Sequence, residues 1–238
     1  MAAVVTAVAH RGAPYVAREN TLASFRSAIA AGADAVELDV RISRDGVPVI
    51  VHDRTLARLW GLDTPVSDLT ATQLEEVTSG GVPTLADALA TTRQVRTLID
   101  LPDHAAVPAV VHGARECGAE DRVYYCGGPV AMRSVRAADR HAEIALTWNR
   151  SAPIRPSLLA DVQPRWLNYS FGVLSPQRVR ATLADGYRVS AWTPDTRRTM
   201  RRLVAMGVES LTTNRIDTLC RLLGRPVPPC GPLRPARR

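Results

Sequence analysis

No lysine occurs in this sequence. All 30 basic residues are arginine, and against 23 acidic residues they leave a formal charge of +7. A basic balance attracts phosphate-bearing partners, but the arginines are dispersed. Arg197-Arg198 and Arg201-Arg202 are spaced like the solvated face of a helix, and Arg237-Arg238 end a Pro-rich tail. No basic cluster is interleaved with aromatics, so nucleic acid is not an expected partner; the missing lysine reads as codon bias. Cysteine is sparse as well. Cys117, Cys126, Cys220 and Cys230 form neither a C-x-x-C pair nor a zinc spacing, so reduced thiols are expected, with Cys230 exposed in the tail. The opening stretch MAAVVTAVAHRG lacks a positive segment ahead of its apolar run, and the run is too short to span a bilayer. It reads as a first strand. The expectation is a cytoplasmic protein without stable membrane insertion, its oligomeric state left open. A Gly-x-Gly-x-x-Gly turn after that strand, which a dinucleotide site would need, is missing too, as are internal repeats and any linker to a second domain.

What is present alternates. The 46% hydrophobic and 22% charged content suits a soluble globular chain. Strand-like runs at 4–10, 35–40, 95–100, 122–127, 144–149, 166–171, 187–193 and 209–213 are separated by helical patterns at 20–31, 85–93, 105–117, 129–141, 156–162, 175–185 and 195–206. A further run, 47–53, pairs back on 35–40 across the Asp45-Gly46 turn. Residues 54–83 are less regular and hold one short helix with Thr70 as N-cap. Eight strand–helix units of this length predict an α/β fold, a single-domain TIM (β/α)8 barrel with a small insertion after strand two. An open doubly wound sheet is the alternative. The barrel is expected over residues 1–224, with 225–238 as a Pro/Arg-rich tail.

In such a barrel the chemistry gathers at the carboxyl ends of the strands. His10-Arg11 end strand one, Glu37 and Asp39 lie two apart on strand two and so project to one side, and Asp100 ends strand three. Three carboxylates in one mouth repel each other unless a cation lies between them, and oxygen ligands select a hard ion, Mg²⁺ or Ca²⁺. Structural ion pairs with nearby arginines are the plainer reading of Glu37 and Asp39, but His10, His52 and Asp100 at neighbouring strand ends favour a site. Asn20 and Thr21 are expected to start the first helix, one of them as N-cap, with Glu19 a further candidate for the metal cluster. His104, His112 and His141 are read as ordinary histidines.

The stretch AHRG followed by ENTLASFRSAIAAGADAVELDVRISRDGVPVIVHDRTLAR resembles the signature of the glycerophosphodiester phosphodiesterase family, and weaker likeness continues through VPTLADAL, SAWTPD and GVESLTTNRID. The resemblance implies a TIM barrel that uses a divalent metal to split a glycerophosphodiester into glycerol 3-phosphate and an alcohol. It implies His10 and His52 as the acid–base pair; which is acid and which is base stays open, with His52 favoured as the acid. Arg11 would hold the phosphate of the small-molecule substrate, Trp192 would wall the glycerol moiety, and Glu37, Asp39 and Asp100 would bind the metal. Lysophospholipase D-like cleavage of lysophospholipids, or a catalytically silent barrel that binds a phosphorylated ligand, are the alternatives. The sequence departs from the family pattern at Asp100-Leu101-Pro102, where Glu-x-Lys is usual, at Cys126-Gly127-Gly128, where Ser-Phe is common, and at Asn214, where Asp is usual. Arg18 also stands in place of Pro. The shorter Asp100 predicts that a backbone shift or a water is needed for it to reach the metal.

Overall fold

The computed structural model describes residues 5–226. In chain order these form β1 (Thr6–Ala9), α1 (Leu22–Ala30), β2 (Ala35–Ile42), β3 (Pro48–Ile50), β4 (Thr55–Leu56), α2 (Ala57–Trp60), β5 (Leu62–Pro65), α3 (Ala71–Thr78), α4 (Leu85–Thr91) and β6 (Arg96–Asp100). The second half contributes α5 (Val107–Glu116), β7 (Val123–Gly127), α6 (Pro129–Ala138), β8 (Ile144–Trp148), α7 (Pro156–Val162), β9 (Trp166–Ser170), α8 (Pro176–Ala184), β10 (Arg188–Trp192), α9 (Arg197–Ala205), β11 (Ser210–Thr213) and α10 (Ile216–Leu222). Residues 227–238, most of the expected tail together with Cys230, lie outside the described residues. Among the described residues no helix is long and apolar enough to cross a membrane.

The strand order β1-β11-β10-β9-β8-β7-β6-β2 closes on itself because β1 also pairs with β2, and every one of these pairings is parallel. The open-sheet alternative is thereby excluded. β3 lies outside the barrel, antiparallel to β2 with Val40 opposite Ile50, and the turn between them rests on Gly46 at φ +82°. The insertion that follows has its own small core, in which Val49, Leu56, Val66 and Leu74 pack together, and α3 starts at Thr70 with a reciprocal cap to Gln73. Thr21, not Asn20, caps α1, its hydroxyl accepting from Ser24 N.

Alternation along each strand sends one set of side chains outward, under the helices, where Phe25, Leu38, Ile99, Leu146, Met200 and Leu203 are fully buried. The other set fills the barrel. At mid-height it is apolar, with Val8, Ala35, Leu98, Tyr124, Ala145 and Trp166 in contact. Below that layer, arginines at the strand starts close the amino-terminal end. Arg96 lies 4.3 Å over the ring of Tyr124 and Arg188 lies 4.1 Å over that of Trp166, while Glu143 accepts from Arg96, Arg165 and the Trp166 indole. Above the apolar layer the interior turns polar, and this upper end holds the site.

Candidate active site

A cavity of about 220 Å³ opens at the carboxyl ends of the strands, lined among others by His10, Arg11, His52, Asp100, Trp192 and Thr147. Glu37 and Asp39 reach it from β2 and are almost wholly buried, at 3% and 1% exposure. The parallel register of β2 and β6 puts Asp39 directly beside Asp100. Oxygen atoms of Glu37, Asp39 and Asp100 consequently lie within 4.8 Å of one another. Asp100 thus joins the cluster through the register of β2 and β6.

Three negative charges this close repel by about 3 kcal/mol per pair at an effective dielectric near 20. The protein offsets only part of this. The Arg11 backbone N–H donates to Glu37 at 2.8 Å, the Arg11 Nε lies 3.1 Å from Asp39 but off hydrogen-bonding direction, since that nitrogen has no bonded partner, and Asn20 Nδ2 donates to Asp39 at 2.7 Å. Burial, followed by the charges of Asp39 and Asp100, pushes the Glu37 carboxyl well above its ordinary value. Burial and Asp39 likewise push Asp100 up to about 7. A buried, under-neutralised set of three oxygen donors fits a hard divalent cation. Glu19 does not join it: it is bound to Arg11 at 2.9 Å and to Arg58 at 2.6 Å, and so holds the guanidinium in place.

The backbone that presents Arg11 is unusual. Arg11 and Asn20 both sit in the left-handed region, at φ 56° and 58°, where a long side chain costs about 1–3 kcal/mol. Neighbouring bonds hold Arg11 there, since its carbonyl accepts from Asn20 N at 3.0 Å and from the Ser24 hydroxyl at 2.9 Å. Gly12 follows at φ +84°, and a Cβ there would stand 2.3 Å from Ser24 Oγ. Only glycine fits.

Each histidine is tethered through Nδ1. His10 Nδ1 lies 2.7 Å from Asn214 Oδ1, and Asn214 Nδ2 donates to Asp195 at 2.7 Å. A carboxylate only accepts, so Asp195 fixes the orientation of the Asn214 amide and turns its oxygen toward His10. His10 must then carry its proton on Nδ1, which leaves the Nε2 lone pair on the interior side, 4.0 Å from Glu37. Burial, then the neighbouring Arg11 charge, pulls the His10 imidazole below its ordinary value. His52 Nδ1 meets Asp53 at 2.7 Å, and Arg58 Nε donates to the same carboxylate at 2.6 Å. Burial opposes ionisation of Asp53, but the bonds from Arg58 and His52 hold its carboxyl below the usual range. With its side chain 42% exposed, His52 stands on the rim while His10 is sunk in the wall. His104 also lies on this side, exposed near Asp103.

Sequence reasoning misses four of these residues. Asn20 reads there only as a helix start, whereas it is buried and bound to Asp39. Asp53, Arg58 and Asp195 receive no role. The carboxylate following His52 in HDR, and that of TPD just past a strand end, are the available signals. Trp192 lines the cavity, and its buried Nε1 has no partner within the described residues.

Known proteins share this architecture. The model of the Glycerophosphoryl diester phosphodiesterase family matches residues 10–218. A probable glycerophosphodiester phosphodiesterase 2 of Mycobacterium tuberculosis is 32% identical over 90% of this chain and 88% of its own. A solved structure of a putative glycerophosphoryl diester phosphodiesterase from Silicibacter pomeroyi superposes with a TM-score of 0.82 over 93% of both chains at 23% identity. That of an Oleispira antarctica phosphodiesterase in complex with the product sn-glycerol-3-phosphate superposes at 0.79, covering 91% of this chain and 96% of the other at 24% identity. With a match spanning every barrel strand but the first and every residue of the acidic cluster, the chain belongs to the glycerophosphoryl diester phosphodiesterase family.

Proposed function

We propose that this chain hydrolyses glycerophosphodiesters to glycerol 3-phosphate and an alcohol, with a divalent cation, Mg²⁺ or Ca²⁺, held by Glu37, Asp39 and Asp100. The observation that carries the reading is the convergence of those three carboxylates beside Arg11, in one cavity with two imidazoles that are each tethered at Nδ1. When bound, such an ion supplies Lewis-acid neutralisation of the phosphate oxygens.

The chain's own residues do the rest. Arg11, clamped between Glu19 and Asp39, presents a guanidinium whose planar fork matches phosphate oxygens. His10, whose proton affinity burial and Arg11 lower, takes a proton on Nε2 from the attacking water. The new P–O bond forms as the bond to the alcohol breaks. His52, on the rim with its Nδ1 bonded to Asp53, gives its proton to the departing alkoxide. A protonated His10 and a neutral His52 remain, and proton exchange with solvent resets both. Trp192 walls the glycerol moiety, and a substrate oxygen would satisfy its unpartnered indole N–H.

The test is release of glycerol 3-phosphate from glycerophosphocholine and glycerophosphoethanolamine by metal-stripped protein, with and without added Mg²⁺ or Ca²⁺. Release that requires the cation is expected. Tight binding without product under either metal would indicate the silent barrel, and turnover confined to lysophospholipids would indicate lysophospholipase D-like action.

A further inference from the structure

The catalytic cavity does not end at Asp100. Past Asp100 and Thr147 its wall continues over Gly127, Gly128 and Pro129 into a second cleft of about 540 Å³ between the β7–α6 and β8–α7 segments. Thr147 belongs to both spaces. Beyond its chain neighbours, no heavy atom lies within 4 Å of where a Gly128 side chain would begin, so nothing projects from the wall at that point.

No carboxylate lines this cleft. Arg133, Arg150 and Arg155 do, together with Trp148. Arg133 is paired with Asp161 at 2.9 Å, but among the described residues neither Arg150 nor Arg155 has a carboxylate within salt-bridge distance. The arrangement is held in place. The Trp148 indole donates to the Ala152 carbonyl at 2.8 Å, the Arg150 guanidinium lies 5.7 Å from the Trp148 ring centroid, and Arg178 donates to the carbonyls of Arg150 and Ser151.

Barrel order gives the cleft a direction. β10 is four strands from β6 either way round, so Trp192 faces Asp100 across the mouth, and the cleft opens between them, its β7 side next to β6 and its β8 side two strands from each. A diester whose glycerol lies under Trp192 therefore sends its other half past Thr147 and over Gly128. We infer that this cleft is the subsite for the departing alcohol, and that it selects an alcohol bearing its own phosphate. The inference rests on the phosphodiesterase reading above. Guanidinium forks match phosphate geometry, and two of the three here are uncompensated. A choline group in the same space would meet like charge, which selects against it.

The experiment compares kcat/KM for two diesters that differ only in one phosphate: glycerophosphoglycerol, and the same molecule with a terminal phosphate on the departing glycerol. At low ionic strength the phosphate-bearing diester should be cleaved roughly tenfold better, about threefold for each partly exposed pair, with the advantage shrinking at high salt. Arg150→Gln/Arg155→Gln should bring the ratio close to one. Arg197→Gln/Arg198→Gln, which removes the same charge from α9, should leave the ratio unchanged. Equal cleavage by the parent, a ratio that survives the cleft replacement, or an equal fall in the α9 control would overturn the inference. Should neither diester be cleaved, the phosphodiesterase reading fails by itself. Calorimetric binding of both diesters to the metal-loaded His10→Ala protein then decides the cleft: tenfold tighter binding of the phosphate-bearing one supports it, and equal affinities overturn it.

Discussion

His10→Ala is expected to lower kcat about 10²- to 10⁴-fold, the usual worth of a positioned general base, with little change in thermal stability. The more discriminating result comes from behind the imidazole. Asp195 orients Asn214, and Asn214 keeps the His10 proton on Nδ1. Asp195→Asn frees the Asn214 amide to turn its NH₂ toward His10, which selects the other tautomer and protonates Nε2, the atom proposed as the base. Asn214→Asp leaves the tautomer correct but sets two carboxylates 2.7 Å apart. Each single change should cost about 10- to 100-fold in kcat, typical of groups that orient a working imidazole. The double exchange, Asp195→Asn with Asn214→Asp, rebuilds the relay in reverse: the new amide on the β10 loop would donate to the new carboxylate after β11, which accepts from His10. It should recover most of the loss, a coupling of about 1–3 kcal/mol. A double variant as impaired as the two singles combined would show that the pair only supports the fold. The same geometry explains how Asn214 can stand where the family pattern has aspartate: a carboxylate reaches it from Asp195, on the loop after β10.

The acidic cluster should make the metal-free protein sensitive to alkali. Glu37 and Asp100 both have folded-state values above those of the unfolded chain, so the folded state holds more protons through the intervening window, and stability must fall as pH rises through it. The window opens near the unfolded aspartate value, about 4, and closes for Asp100 at about 7. Metal-stripped protein should therefore melt at its highest temperature on the acid side of this window and at a lower one by pH 8. Saturating Mg²⁺ or Ca²⁺ should reverse the trend, since the cation replaces the protons. At a hundredfold excess over Kd the stabilisation is about 2.7 kcal/mol, a rise of roughly 5–10 °C for a chain of this size, larger at pH 8 than at pH 5. Asp100→Asn should stabilise the stripped protein at pH 8 and abolish the response to metal. A melting temperature indifferent to pH between 4 and 8 and to either cation would exclude this electrostatic description.

The barrel was legible because each unit declared itself locally. Period-two apolar runs such as AVELDV alternate with helical stretches punctuated by turn residues, and the carboxylates of a strand that should be apolar stand out by their cost of burial. Glu37 and Asp39, two apart, carry that signal within six residues. Closure does not. Asn214 touches His10 across 204 positions of sequence, a contact created only when β11 pairs with β1, and Asp195 joins them from a third loop. TPD shows a carboxylate just past a strand end, but nothing local to it or to TTN tells that the two meet at His10. Asn20 was hidden for a different reason: an asparagine just before a helix is explained well enough by capping, and only the left-handed turn at Asn20 sends its amide inward to Asp39. The arginine cleft escaped notice because Arg133, Arg150 and Arg155 belong to different loops and helices, and the sequence spreads them among 27 other arginines.

The whole description depends on Glu37, Asp39 and Asp100 acting together as one ligand set, and calorimetric titration of the metal-stripped protein with Mg²⁺ and Ca²⁺ addresses that without any substrate. One ion per chain should bind, with protons released on binding at pH 6, and Glu37→Gln should remove the binding while the protein stays folded. Absence of binding at millimolar cation, or binding undiminished in Glu37→Gln, would contradict it.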